Sequence, residues 1–237
     1  MVGVQKGGKN LTKCSSWQKK HAEVISRFLK HLNAITDNFI LKGGTALMTC
    51  YDLDRFSEDI DLDSTAEGIE TIVDGFCKSQ GFAFRVAKDT ATVKRYMINY
   101  GNEGKPLKVE VSFRKKIILP DEINEIGGIA VYRIDSLCAM KANAYSGRDK
   151  IRDLYDLVFI CGRYWDELSA QIQSIVRNAV EFKGIEQFDY LINDQQDELI
   201  DTNKLADDFL RMYDKLGLLY DEREQKIIAK VLTGDEQ

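Results

Sequence analysis

Proline is nearly missing from this chain: Pro106 and Pro120 are the only 2 in 237 residues, which excludes long proline-rich linkers. Histidine is as scarce, with His21 and His31 ten positions apart, so a zinc site built on close histidine pairs is excluded. The 5 cysteines, Cys14, Cys50, Cys77, Cys138 and Cys161, include no two within four residues of each other, so no CxxC pair exists for zinc or redox work. An odd number of scattered thiols reads as reduced cysteine, used as small core side chains. Any catalytic metal must then be held by oxygen, which points to Mg2+ or Mn2+. No run approaches the roughly 18 apolar residues that a membrane-spanning helix needs. Segment 1–10 has lysines but no apolar stretch behind them, so a secretory signal is not expected and the cytoplasm is the expected location.

What is present is ordinary for a globular protein: 44% hydrophobic and 30% charged residues, enough chain for one large domain or two small ones. The net charge of −5 is unevenly spread. Residues 184–237 carry 6 Lys/Arg against 14 Asp/Glu, whereas residues 1–183 carry 27 against 24. A protein that coats nucleic acid would be basic throughout. Here only the N-terminal part offers a polyanion a local foothold.

Hydrophobic spacing divides the chain into two regions. Val24, Ile25, Phe28, Leu29 and Leu32 recur at helical intervals within 16–32. A short apolar strand at 38–41 leads into Lys42-Gly43-Gly44, and 45–51 reads as a helix that Thr45 is placed to cap. Strict alternation marks Asp59 to Asp63 as a strand. A helix at 65–79 follows, then strands at 82–86, 92–100 and 107–113, with a hairpin turn at 101–105, and one more strand at 130–134. Helical patterns then fill 135–145, 151–163, 166–180, 185–200, 204–215 and 222–232. The expected organisation is a strand-containing domain at 1–134 and a helical domain at 135–237.

The chemistry concentrates in LKGGTALMTCYDLDRFSEDIDLD, residues 41–63. Side chains two apart on a strand share a face, so Asp59 and Asp61 point the same way with Cα atoms about 7 Å apart. Two carboxylates so placed can hold one or two divalent ions. A Gly-rich turn entering a helix presents backbone amides to a phosphate, and Gly43 and Gly44 let that phosphate come close. Asp63 shares the face, but its Cα stands about 13 Å from that of Asp59, and catalytic metal pairs sit about 4 Å apart. It is the weaker ligand candidate. In Lys108-Val109-Glu110-Val111-Ser112 the valines are expected to face the core and Glu110 the other side, where it can serve as a third acid.

A lone DxD is commonly a solvated strand face and a lone Gly-Gly a simple turn. In the order turn, helix, strand, later acid, they favour a site for a triphosphate and its metal.

GGTAL followed by RFSEDIDL resembles the nucleotidyltransferase AbiEii/AbiGii toxin family of abortive-infection and type IV toxin–antitoxin systems, part of the DNA polymerase β-like nucleotidyltransferase superfamily. The resemblance covers about residues 39–160. It implies an α+β fold, with a nucleotidyltransferase-type mixed sheet flanked by helices and a C-terminal helical region after it. Gly44-Thr45 stands where the superfamily has Gly-Ser, Asp59 and Asp61 match its metal aspartates, and Glu110 matches its third acid. It further implies that Lys141 neutralises triphosphate charge and that Asp153 positions that lysine or the nucleophile, with Asp156 in the substrate-binding group. Without it, Arg152 and Asp156 at i,i+4 read as a helix-surface pair. Arg55 and Ser57 either steady the loop or touch phosphate. Tyr145 and Tyr155 read as packing residues.

The implied activity is Mg2+-dependent transfer of a nucleotide from an NTP to an acceptor. The acceptor is the 3′ end of a tRNA, with a protein hydroxyl as the alternative, and a separate antitoxin is the partner. A nucleotide-binding regulatory protein without turnover is the rival reading. Lys94, Arg95, Lys105, Lys108, Arg114, Lys115 and Lys116, with Arg148, Lys150 and Arg152, form the expected approach for RNA.

Overall fold

The computed structural model describes residues 15–101 and 105–219. Cys14, the helix expected at 222–232 and the centre of the turn expected at 101–105 lie outside them. The chain divides into two compact units, Met1–Arg133 and Ile134–Gln237.

The first unit opens with α1 (Ser16–Ile35), β1 (Phe39–Lys42), α2 (Gly43–Cys50), β2 (Ile60–Ser64) and α3 (Ile69–Gln80). It continues with β3 (Ala83–Asp89), β4 (Val93–Asn99), β5 (Leu107–Ser112), β6 (Ile123–Ile126) and β7 (Ile129–Tyr132). The strands form one 7-stranded mixed sheet in the order β3-β4-β5-β2-β1-β7-β6. β2 runs parallel to β5 and β1 parallel to β7, and the other neighbours are antiparallel. The α+β class and the helix-flanked mixed sheet are thus as expected.

α1 begins where it does because Ser15 and Gln18 cap each other reciprocally. It buries Val24, Ile25, Phe28, Leu29 and Leu32. Phe28 meets Phe76 of α3 edge to face, ring centres 5.2 Å apart. Ile60, Leu62, Val109, Val111, Tyr96 and Ile98 are fully buried. By strand alternation the side chains between them, Asp61, Glu110, Arg95 and Met97, belong to the opposite face. One face of the central strands is therefore core, and the other carries charge.

Three expectations need correction. Thr45 does not cap α2: the helix starts two residues earlier, Lys42 occupies the cap position without a side-chain cap bond, and Thr45 lies inside the first turn. β6 was not expected at all. It forms a hairpin with β7 across Gly127 and Gly128, whose φ of 60° and 75° are the values a two-residue turn of this hand requires. Residue 134, assigned to the last strand, instead starts a helix. At the far edge, β3 shifts register against β4 between Val86 and Lys88.

The second unit is helical: α4 (Ile134–Gly147), α5 (Ile151–Tyr164), α6 (Ala170–Asp194) and α7 (Thr202–Lys215). α6 breaks at Gly184, whose φ of 67° and ψ of 174° are not helical. The expected gap between helices at 180 and 185 falls at this break. The expected extension to 200 does not form, since α6 ends at Asp194. Among the described residues no helix is long and apolar enough to cross a membrane.

Candidate active site

Sheet register assembles the site in the first unit. Lys42 pairs with Asp61, Asp61 with Glu110, and Glu110 with Arg95, so two adjacent acids flanked by a cation on each side stand in one row across β1, β2, β5 and β4. Partners in register share a face of the sheet. Asp59 immediately precedes β2, and Lys108 reaches it with Nζ 2.7 Å from Oδ2. Arg95 Nε donates to Glu110 Oε2 at 2.6 Å. Among the described residues the Asp61 side chain makes no hydrogen bond or ion pair. Burial, with Asp59 and Glu110 nearby, pushes its carboxyl above the ordinary value against the pull of Lys108 and Lys42.

The glycine turn approaches this row directly. Gly43 has φ +74°, and a Cβ there would lie 3.0 Å from Asp61 Oδ2. A Cβ on Gly44 would lie 2.7 Å from Arg55 Nη2 and 2.8 Å from Ser57 Oγ. The two glycines thus serve different ends: the first admits the start of α2 beside the aspartate, and the second admits the Arg55–Ser57 loop beneath it. Arg55 is 5% exposed and donates from Nη1 to the Phe56 carbonyl at 3.0 Å, the arrangement of a loop-steadying residue. Thr45 is 1% exposed; its hydroxyl donates to the Asp59 carbonyl and lies 3.0 Å from Ser57 Oγ. It ties the turn to the residue that carries the first acid.

Sequence reasoning overlooked His21. Its Nε2 lies 2.6 Å from the Glu58 carbonyl, and Nδ1 meets the Tyr100 hydroxyl. A carbonyl only accepts, so Nε2 carries a proton. Burial lowers its pKa from 6.5, outweighing the pull of Glu58 and Asp59. It fastens α1 to the residue before Asp59. The signal was its place on the apolar stripe of α1, between Trp17 and Val24.

Asp63 has a structural role: it is 4% exposed, pairs with Lys42 and accepts from the Tyr132 hydroxyl at 3.1 Å. Most of the expected RNA-facing cations are engaged by acids: Lys94 with Asp89, Arg95 with Glu110, Lys108 with Asp59 and Lys115 with Glu122. Arg114 and Lys116 are exposed. Lys94, Lys115 and Lys116 line a cleft of about 380 Å3 with Ser64, Thr65 and Asp89.

In the second unit Lys141 Nζ lies 3.1 Å from Asp153 Oδ1 and 2.6 Å from Asp156 Oδ2. Arg148 Nε adds a contact of 2.6 Å to Asp153 Oδ2. Burial alone would raise the Asp153 carboxyl, but hydrogen bonds from Arg148 and Lys141 and their charges hold it below its ordinary value. Asp156, expected on the helix surface, is instead fully buried, and Arg152 pairs with Asp197. Tyr145 is buried, as expected of a packing residue.

All candidate ligands are oxygen donors, as a hard divalent cation prefers. Among the described residues no three acidic, histidine or cysteine side chains already converge as a metal cage. Asp59 and Glu110 are engaged by Lys108 and Arg95 instead.

Comparison with known proteins gives this architecture a family. The model of the nucleotidyl transferase AbiEii toxin of type IV toxin–antitoxin systems matches residues 27–229. The crystal structure of JHP933 from Helicobacter pylori superposes with a TM-score of 0.73 at 27% identity, covering 92% of this chain and 99% of that one. A second H. pylori structure, assigned as a nucleotidyltransferase, gives 0.71 at 27% identity over 87% of this chain and 98% of its own. No curated protein matches the chain. With most of its length matched by that family model, the chain belongs to the AbiEii nucleotidyl transferase toxin family.

Proposed function

We propose that the first unit binds an NTP with Mg2+ or Mn2+ and transfers its nucleotide to the 3′ end of a tRNA, the toxic activity that a cognate antitoxin counters. The observation that carries this reading is the meeting of Asp61, its register partner Glu110 and the start of α2 at Gly43. The residues fit the metal: Asp59, Asp61 and Glu110 are oxygen donors on or beside neighbouring strands, and burial beside two other acids leaves Asp61 short of positive charge.

When bound, divalent ions there acidify an acceptor hydroxyl and neutralise the triphosphate. The chain's own groups supply the rest. Asp59 and Asp61 hold the cations and Glu110 completes the set. The first amides of α2 donate to phosphate oxygens, aided by the positive end of the helix dipole. Thr45 and Ser57 brace the turn against the Asp59 backbone, so the phosphate and metal positions keep a fixed separation. Arg55 supports the same turn from below. The cleft lined by Lys94, Lys115 and Lys116 lies where β2 and β5 end, beside Ser64 and Phe113, and offers a polyanionic acceptor a basic surface.

Labelled NTPs incubated with the protein, Mg2+ and either total tRNA or cleared lysate test the reading. Label on tRNA that disappears with Asp61→Asn supports it. Label on protein moves the acceptor to a protein hydroxyl. Binding of Mg-NTP without any transfer reduces the chain to a nucleotide-binding regulator.

A further inference from the structure

The acids of the site carry three negative charges, and two cations already answer them from within the sheet. Arg95 comes from β4, and its partner Glu110 keeps only 23% side-chain exposure. Lys108 differs. Its ammonium lies 2.7 Å from Oδ2 of Asp59, whose side chain is 45% exposed and thus open to an incoming ion. Asp61 and Glu110 also attract the Lys108 ammonium electrostatically. Lys42, on the other side of Asp61, is instead tied to the buried Asp63 outside the acidic centre.

Lys108 stands at the same strand level as Asp59, one residue before the Val109–Ile60 pair and two before Glu110. Its other neighbour in register is Met97, an uncharged side chain. Its long flexible stem therefore has two sources of attraction: the Asp59 carboxylate, and any polyanion that enters over Asp61. A divalent ion at Asp59 and Asp61 would compete with the ammonium for Asp59 Oδ2, because the two cations repel each other at that separation.

We propose that Lys108 is the resident counter-ion of the acidic centre: it holds Asp59 in the metal-free protein, is displaced by the first divalent ion, and then binds the triphosphate that arrives with it. The inference rests on the metal and nucleotide reading of the first unit and adds a residue and an order of events to it. No bond forms or breaks; one ammonium exchanges a carboxylate for a phosphate partner.

The two halves of the proposal predict opposite signs for one substitution. In Lys108→Met, Mn2+ alone should bind more tightly, by about tenfold, since a competing ion pair and a like-charge repulsion both disappear. With Mn2+ saturating, a nonhydrolysable NTP should bind the same variant about tenfold more weakly, having lost a phosphate contact. Mn2+ is read by electron paramagnetic resonance without nucleotide, and the NTP by calorimetry. Lys108→Arg, which keeps the charge, should leave Mn2+ affinity within about twofold of the starting protein and so guards against an effect of altered folding. If Mn2+ binding is lost in Asp61→Asn but unchanged in Lys108→Met, the counter-ion proposal falls and the metal site stands. If the unsubstituted protein binds no Mn2+ with or without NTP, the metal reading itself falls and this proposal with it.

Discussion

The two units each place a lysine against two or more acids, and the outcomes differ. In the second unit Lys141 is only 12% exposed in its side chain, Asp153 and Asp156 are sealed, and every charge has an opposite at hydrogen-bond distance. In the first unit Asp59 and Lys108 remain partly open, and Asp61 has acids nearby but no ion pair among the described residues. Saturated buried charge holds helices together; unsaturated accessible charge is available to a ligand. The resemblance put both clusters in one catalytic set, and they differ in how completely each is neutralised.

The sharpest way to break this comparison is to remove one partner from each cluster. Lys141→Met strands two buried carboxylates and should lower stability by about 3–5 kcal/mol in chemical denaturation. Asp61→Asn removes a charge from a crowded acidic site and should change stability by under about 1 kcal/mol while abolishing Mg-NTP binding in calorimetry. A fully stable Lys141→Met protein that has lost only NTP binding would reverse the assignment.

Gly44→Ala should cost about 1–3 kcal/mol, because a methyl there meets Arg55 and Ser57 within a packed loop. Its Mg-NTP affinity should fall as well, since the turn and Asp59 are braced together. Thermal unfolding and calorimetry on one sample check both.

Acid should unfasten the units in separate windows. His21 has a lowered folded pKa, so its contribution is complete above 6.5 and is lost as pH falls from 6.5 toward that lower value. Asp153 also has a lowered folded pKa, so its contribution is complete above 3.8 and is lost only as pH falls below 3.8. Trp17 packs edge-on against His21 with ring centres 6.0 Å apart, while Trp165 lies in the second unit. In Trp165→Phe protein the remaining Trp17 fluorescence should respond from about pH 6.5 downward. In Trp17→Phe protein Trp165 should hold until about pH 3.8. Coincident transitions would show that the units do not titrate separately.

The smallest effect expected is at the cleft. Changing Arg114, Lys115 and Lys116 together to Ala should weaken tRNA binding modestly and reduce the slope of log affinity against log salt by up to about 2. An unchanged slope would remove this surface from the acceptor path.

Local patterns were readable where one strand or helix settles the matter. Alternation along Asp59–Asp63 and Leu107–Ser112 separated the acidic face from the valine face without knowledge of neighbours. The apolar stripe of α1 was equally plain. What alternation could not give was pairing across the sheet. Lys108 looked like one more cation for RNA until the parallel register of β2 and β5 set it beside Asp59. The resemblance paired Lys141 with Asp153, and the structure adds contacts from Asp156 and Arg148 to that pair. The β6–β7 hairpin had a local signal, Ile126-Gly127-Gly128-Ile129, but Asn124 and Glu125 interrupt the apolar run that strands usually show. The end of α6 at Asp194 had no such signal, since helical spacing continues past it through Leu199 and Ile200.

The register shift in β3 has a consequence for the sheet as a whole. β3 is an outer strand of seven residues, mostly solvent-facing, and its free edge would offer another chain a template for strand pairing. The irregularity between Val86 and Lys88 interrupts the straight run of hydrogen-bonding groups, and Arg85, Lys88 and Asp89 surround it with charge that an added strand would have to bury. The edge of the sheet is thereby a poorer template for strand pairing with a second copy of the chain.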